Sequence, residues 1–180
     1  YDLSVPGVTI DRQCGSSQQA VHFAAQAVMS GTQDVVIAGG VQTMSKIPIG
    51  SAMICARDLG FNDPFSGSEG WVKRFGDAPV SQFYGAEQIA KQWGFSRRDL
   101  EEFSFESHRR AAHAREQGWF DREITAINGL EKDETIREST LEKMAELDVL
   151  QEGGQITAAV ASQTCDGSSA MLIASEDAVK

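Results

Sequence analysis

Cys14-Gly15-Ser16-Ser17 opens a run of small and apolar residues, Ala20-Val21-His22-Phe23-Ala24-Ala25-Gln26-Ala27-Val28-Met29, and Gly31 and Asp34 then lead into Val35-Val36-Ile37-Ala38-Gly39-Gly40. The spacing predicts a helix over 17–30, apolar on nearly every side and therefore internal, with Gly31 as its C-terminal cap. Residues 35–38 form a short unbroken apolar run, the pattern of a fully buried, parallel strand. Upstream, Gly7-Val8-Thr9-Ile10 has strand character. Strand, helix and strand in this order predict a βαβ unit and an α/β fold.

Cys14 stands at the entrance of the predicted helix. The unpaired N–H groups of a helix N-terminus favour negative charge, and the thiolate is the nucleophilic form of cysteine. The placement points to covalent chemistry on a thioester or other acyl group. A tight helix entry around a buried structural thiol uses the same residues, and the local sequence leaves both readings open.

The 180 residues suffice for one domain with a real core. A composition of 41% apolar and 23% charged residues is that of a globular protein. The formal net charge of −10 argues against a nucleic-acid surface, which needs clustered Lys and Arg. No apolar run approaches membrane-spanning length, and the first six residues lack the pattern of a signal peptide. The three cysteines, Cys14, Cys55 and Cys165, are widely spaced, and the three histidines are not at metal-ligand spacing. Neither a disulfide framework nor a metal site is expected, and a reducing cytoplasm is the expected compartment. The chain opens on Tyr1 and runs directly into strand-like residues, so a piece of a larger protein is expected.

After Gly40 the pattern changes. Residues 45–82 carry Pro48, Gly50, Gly60, Pro64, Gly67, Gly70, Gly76 and Pro79, an irregular excursion whose Met53, Ile54, Phe61, Phe65, Trp71 and Phe75 mark it as a lid, binding loop or subunit contact. Residues 86–93 read as a helix ending at Gly94. Ser96 and Asp99 then start a helix reaching about Gln117, with Leu100, Phe103, Ser107, Ala111 and Ala114 inward. Arg97, Arg98, Glu101 and Glu102 are placed on its outer face, and His108 and His113 are read as exposed or hydrogen-bonded surface histidines. Residues 121–127 read as a strand, Ser139 and Glu142 as the start of a short helix through Leu147, Gly153-Gly154 as a turn, and 170–174 as a buried strand before a helical turn at Ser175-Glu176-Asp177.

The order of motifs resembles the thiolases, acetyl-CoA acyltransferases. The resemblance is carried by residues 5–10, Cys14-Gly15-Ser16-Ser17, 24–31, Val36-Ile37-Ala38-Gly39-Gly40 and Met44-Ser45, then Gly85-Ala86-Glu87-Gln88-Ile89-Ala90, Ser107-His108-Arg109-Arg110-Ala111, 118–124 and Asp166-Gly167-Ser168-Ser169-Ala170. Each piece is weak; the ordered set covers essentially the whole chain. Gln13 to Gln19 and Ser81-Gln82-Phe83 look more like degradative, steroid-pathway members than short-chain biosynthetic ones.

The resemblance implies an incomplete α/β thiolase fold, a layered mixed sheet with helices plus a helix-rich loop domain. Residues 1–43 would be part of the N-terminal domain, 44–160 the loop domain covering coenzyme A, and 161–180 the return to the N-terminal domain. It implies acyl transfer between an acyl group and CoA through an acyl-cysteine on Cys14, whose backbone N–H would help hold the oxyanion. Arg137 and Ser162 match positions that contact CoA in relatives. No cofactor is implied beyond CoA as substrate, and the implied partner is another copy, in a homodimer or homotetramer. Arg137 suits a phosphate because guanidinium is permanently charged and forked; a surface ion pair with Glu134 or Glu138 is the alternative, and for Ser162 a loop hydroxyl bonding backbone.

The sequence departs from the family at Thr157-Ala158-Ala159-Val160, where many members have Thr-Ala-Gly-Asn. It also has Ser81-Gln82 in place of a biosynthetic His-Met, and Asp11 in place of Asn or Ser. The activating Gly-His-Pro histidine, the water-holding Asn-Glu segment and the second, Cys-x-Gly cysteine of the family's other half are read as missing, so this piece is expected not to turn over alone. A ketoacyl synthase-like condensing enzyme and a non-catalytic acyl-CoA binding or lipid-carrier module are the competing readings.

Overall fold

The computed structural model describes residues 2–65 and 67–180; Tyr1, where the first domain reading begins, lies outside them. The chain forms two compact units, Tyr1–Ala52 with Thr164–Lys180, and Met53–Gln163.

In the first unit, helix α1 (Ser16–Met29) stands next to the strands β1 (Val35–Thr43) and β2 (Asp166–Ala174). α1 ends in a Schellman motif: Gly31 at φ +70° donates to Val28 O (3.0 Å) and Thr32 to Ala27 O (3.1 Å). Glycine is required there because the left-handed region penalises a Cβ. β1 and β2 pair antiparallel, from Val35 opposite Ala174 to Thr43 opposite Asp166. The parallel, fully buried strand expected at 35–38 is therefore corrected on both counts. The chain returns beside β1 in the opposite sense, and only Ala38 of β1 is buried. β2, expected buried over 170–174, is exposed except at Ile173 and Ala174. Residues 7–10 are not a strand. A strand exists through a neighbour's ladder, and among the described residues β1 and β2 pair only with each other. α1 is less internal than its composition implies: Ala24 is buried, while Phe23 is 50% and Met29 87% exposed.

One carboxylate closes the open end of this sheet. Asp166 Oδ1 accepts from the Ser45 amide (2.9 Å) and Oδ2 from the Ser45 hydroxyl (2.6 Å). Those two bonds, hydroxyl first, hold the Asp166 carboxyl below its ordinary range. The chain runs out of β1 here and returns into β2, so the two chain passages are tied together within the first unit. At the other end Ser175 N donates to Asp34 O (2.8 Å), and the Ser175 hydroxyl caps the short helix α7 (Glu176–Val179).

The second unit is helical: α2 (Ser51–Ile54, beginning just before it), α3 (Glu69–Phe75), α4 (Gln82–Trp93), α5 (Arg97–Glu116) and α6 (Leu141–Ala145). The aromatic residues of the irregular excursion pack on each other. Phe65 lies 4.7 Å from Trp71 and Trp71 4.4 Å from Phe75, centroid to centroid. Ser81 caps α4, and Gly94 ends it at φ +70°. Ser96 and Asp99 form a full capping box on α5: the Asp99 amide donates to Ser96 Oγ (3.2 Å) and the Ser96 amide to Asp99 Oδ2 (2.7 Å).

The buried face of α5 differs from the expected stripe. Phe103 is 81% exposed and Ser107 is exposed, while Glu101, expected outside, is 2% exposed. Ala114, expected inward, is buried, and Leu100 and Ala111 of the expected stripe are half-buried, as are Ser104, Phe105, His108, Ala112 and Arg115. Glu101 turns inward because it has a strong partner. Arg97 Nε donates to Glu101 (2.7 Å), and its Nη2 donates to the carbonyls of Met144, Ala145 and Leu147 (3.1, 2.9 and 2.7 Å), capping the C-terminal end of α6.

Residues 121–127 form turns rather than a strand. Ile127 and Leu130 exchange both backbone bonds across Asn128-Gly129, each at positive φ, the geometry of a tight hairpin turn with no further ladder. The cap of α6 is Thr140, one residue beyond the expected Ser139. Among the described residues, no helix is long and apolar enough to cross a membrane, and no group of three or more His, Cys, Asp or Glu residues is placed to hold a metal ion.

Candidate active site

Cys14 lies in a single 3-10 turn, Gln13–Gly15, that runs directly into α1. Short-range bonds build the turn. Asp11 Oδ1 accepts from the Gln13 amide (2.9 Å), the Gly15 amide donates to Arg12 O (3.0 Å), and Ser16 Oγ accepts from the Arg12 amide (2.8 Å) while donating to Gln13 O (2.6 Å). Arg12 Nη1 reaches Gln19 Oε1 (2.6 Å). Asp11 thus acts as an Asx turn, a role its carboxylate shares with Asn. These bonds hold Gln13 at φ +47°, a left-handed conformation that costs a side-chain-bearing residue on the order of 1 kcal/mol.

The helix beyond the turn begins at Gly15, which has no capping side chain, and its first turn contains no acidic residue. Neither a capping side chain nor an acidic residue of that first turn offsets its positive end. Cys14 beside it is an exposed, free thiol. Gly40 of β1 fixes where this helix start lies. A Cβ at residue 40 would collide with Ser17 Oγ and come within 3.3 Å of Ser17 Cβ, so any residue but glycine here must displace the Ser17 side chain.

Arg137 and Ser162 belong to the second unit, and both are exposed. The Arg137 guanidinium makes no ion pair among the described residues, and Glu138, offered as a partner, lies 3.8 Å from Arg115 instead. Ser162 forms no hydrogen bond to backbone among the described residues. Their loops are joined one residue from Ser162: Gln163 Nε2 donates to Thr135 O (2.6 Å), two residues before Arg137. The Arg137 amide donates to His108 Nδ1 on α5 (3.1 Å). Thr135 is itself tied to Asp133 Oδ1 through its hydroxyl (2.7 Å) and amide (2.8 Å), bonds that lower the Asp133 carboxyl.

The segment before Ser162 is anchored on α4 and α5. Glu87 Oε1 accepts from the amides of Gln155 and Ile156 (both 2.7 Å), and Ser104 Oγ donates to Ala159 O (2.6 Å). Thr157 is fully buried, with Oγ1 accepting from the Ala159 amide (3.3 Å). The altered Ala159-Val160 positions therefore sit in a loop pinned by residues around them.

Sequence reasoning missed Glu87, Gln163 and Asp166 as organising residues. Glu87 and Asp166 had a local signal, their places in family-like segments; Gln163 had none. It also passed over Cys165-Asp166-Gly167, which has Cys-x-Gly spacing. Here the middle residue is the Ser45 clamp.

The sequence matches the family described as thiolase, N-terminal domain, over residues 2–177. Steroid 3-ketoacyl-CoA thiolase FadA6 of Mycobacterium tuberculosis is 54% identical over 184 residues, covering 100% of this chain and 45% of the relative. A 3-ketoacyl-CoA thiolase of Pseudoalteromonas translucida is 38% identical over 98% of the chain and 46% of the relative. A beta-ketoadipyl-CoA thiolase of Acinetobacter baylyi is 35% identical over 98% and 48%. The chain spans about half the length of the curated relatives it matches.

Proposed function

This chain belongs to the thiolase family, through its N-terminal domain, and on that premise we propose that it carries the acyl-accepting cysteine, Cys14, of an acetyl-CoA C-acyltransferase that cleaves 3-ketoacyl-CoA. The observation that carries the reading is the place of Cys14: an exposed thiol in the turn that opens an uncapped helix. In the cleaving direction the thiolate adds to the 3-keto carbonyl. The bond between C2 and C3 breaks, C2 leaves as the acetyl-CoA carbanion and takes a proton, and the shortened acyl group stays on sulfur as a thioester. The thiol of a second CoA then attacks that thioester and regenerates Cys14. Both acyl carriers are thioesters, so the exchange is nearly balanced and the reverse condensation uses the same steps.

The direction we favour is degradative and the acyl group a steroid-derived one, because the steroid enzyme is 54% identical and the other named relatives 38% and 35%. Arg137 and Ser162 are the proposed CoA contacts. Arg137 offers a guanidinium with no internal ion pair among the described residues. We read residues 1–43 and 161–180 as N-terminal-domain sequence and 44–160 as the loop domain over CoA. Turnover then needs residues outside this stretch to activate Cys14 and move protons. The protein would work in the cytoplasm, where an acyl-accepting thiol stays reduced. It would do so as a homodimer or homotetramer, with exposed Leu59 and Phe61 among the candidate contacts.

The test is thiolysis by the full-length protein on steroid-derived and straight-chain 3-ketoacyl-CoA. Cys14→Ala is expected to lower kcat at least about a thousandfold with either, and the steroid substrate to have the higher kcat/KM. Retained turnover in Cys14→Ala would overturn the proposal.

A further inference from the structure

We propose that His108 is a positioning residue that sets the main chain of Arg137 and so presents its guanidinium to the phosphates of coenzyme A; the inference rests on the CoA reading of Arg137. The Arg137 amide donates to His108 Nδ1 at 3.1 Å across 29 residues of sequence. In this bond Nδ1 is the acceptor and the main-chain N–H the donor. His108 is half-buried near the middle of the 20-residue helix α5, the longest helix of the second unit. It therefore offers a fixed acceptor to a loop with no regular structure of its own.

The other ties of this loop act on Thr135 and Glu138. Gln163 Nε2 holds Thr135 O at 2.6 Å, and Arg115 lies 3.8 Å from Glu138. Among the described residues, His108 alone holds residue 137 itself, by its main chain, and leaves the side chain available. A loop held in one conformation before the ligand arrives loses less entropy when the ligand binds. The expected consequence of cutting the bond is weaker CoA binding with unaltered chemistry.

The experiment measures the Kd of CoA and the steady-state constants of the full-length protein as wild type, His108→Phe, His108→Asn, Arg137→Ala and the His108→Phe/Arg137→Ala double variant. Phe keeps the ring volume and loses the acceptor, whereas Asn keeps an acceptor near Nδ1. His108→Phe should raise Kd about 3- to 10-fold, the size of one hydrogen bond, and raise the KM for CoA with kcat at saturation unchanged. His108→Asn should stay within about twofold of wild type. The double variant should bind no worse than Arg137→Ala, because the effect of His108 passes through Arg137. If His108→Phe does not fold, His108→Ala replaces it, with added imidazole expected to restore affinity.

Wild-type affinity in His108→Phe beside a raised Kd in Arg137→Ala overturns the positioning role and leaves the CoA reading standing. Additive losses in the double variant, or equal losses in His108→Phe and His108→Asn, overturn it as well. Wild-type affinity in Arg137→Ala overturns the CoA reading of Arg137 and the positioning role together.

Discussion

Gly40 and Ser17 meet where β1 passes the first turn of α1, and a Cβ on residue 40 would occupy the place of the Ser17 hydroxyl. Ser17 is three residues beyond Cys14, so the strand sets the position of the turn that carries the reactive thiol. Gly40→Ala must rotate the Ser17 hydroxyl and push back its Cβ, now 3.3 Å from the added atom. The expected cost is about 1–3 kcal/mol by urea unfolding. Ser17→Ala in the same background should recover part of it. An additive loss from the two changes would contradict the contact.

Arg97→Ala should be the most damaging single change in the second unit. It leaves Glu101, 2% exposed, without its cation and removes the donor from three carbonyls at the end of α6. An uncompensated buried charge costs about 3–5 kcal/mol. Arg97→Ala/Glu101→Gln should be less destabilised than Arg97→Ala alone, read as unfolding midpoints.

Glu87→Ala should loosen the segment leading to Ser162. One carboxylate oxygen holds the amides of Gln155 and Ile156, and bonds to a charged acceptor contribute about 1.5–3 kcal/mol each. Glu87→Gln keeps an oxygen and should lose less. Amide hydrogen exchange at 155 and 156 checks this: both amides should exchange faster in Glu87→Ala, and unchanged protection would contradict the clamp.

Glu106 gives a pH signature. Hydrogen bonds first from Arg109 and then from Arg110 hold its carboxyl down to about 2, against an ordinary 4.5. A carboxyl lowered on folding adds stability above its ordinary value and loses it as pH falls from there toward the folded value. Wild type should therefore exceed Glu106→Gln in stability at pH 6, with the gap narrowing between about pH 4.5 and 2. The gap should shrink with added salt because the pairs face solvent. A gap independent of pH would contradict the assignment.

Much of this was legible in the sequence because it is local. The helix 17–30, its Gly31 stop, the Ser96–Asp99 start and the Gly94 end depend on residues a few positions apart. So does the cysteine at a helix entry. The misread parts depend on distant partners. Residues 7–10 and 121–127 have strand composition and lack a ladder. The direction of β1 was decided by a return more than a hundred residues away, a pairing that no window on 35–38 reveals. Glu101 turns inward because Arg97 and the end of α6 meet it there, so an apolar stripe drawn through Phe103 pointed to the wrong face. His108 and Gln163 acquire their meaning only when the loop around Arg137 is folded against them.

Mass spectrometry of the full-length protein after incubation with acetoacetyl-CoA tests the central claim most directly. An acetyl group on the tryptic peptide that contains Cys14, absent in Cys14→Ala, is the predicted result. Bound CoA with an unmodified Cys14, or acetylation on Cys55 or Cys165 instead, would contradict it.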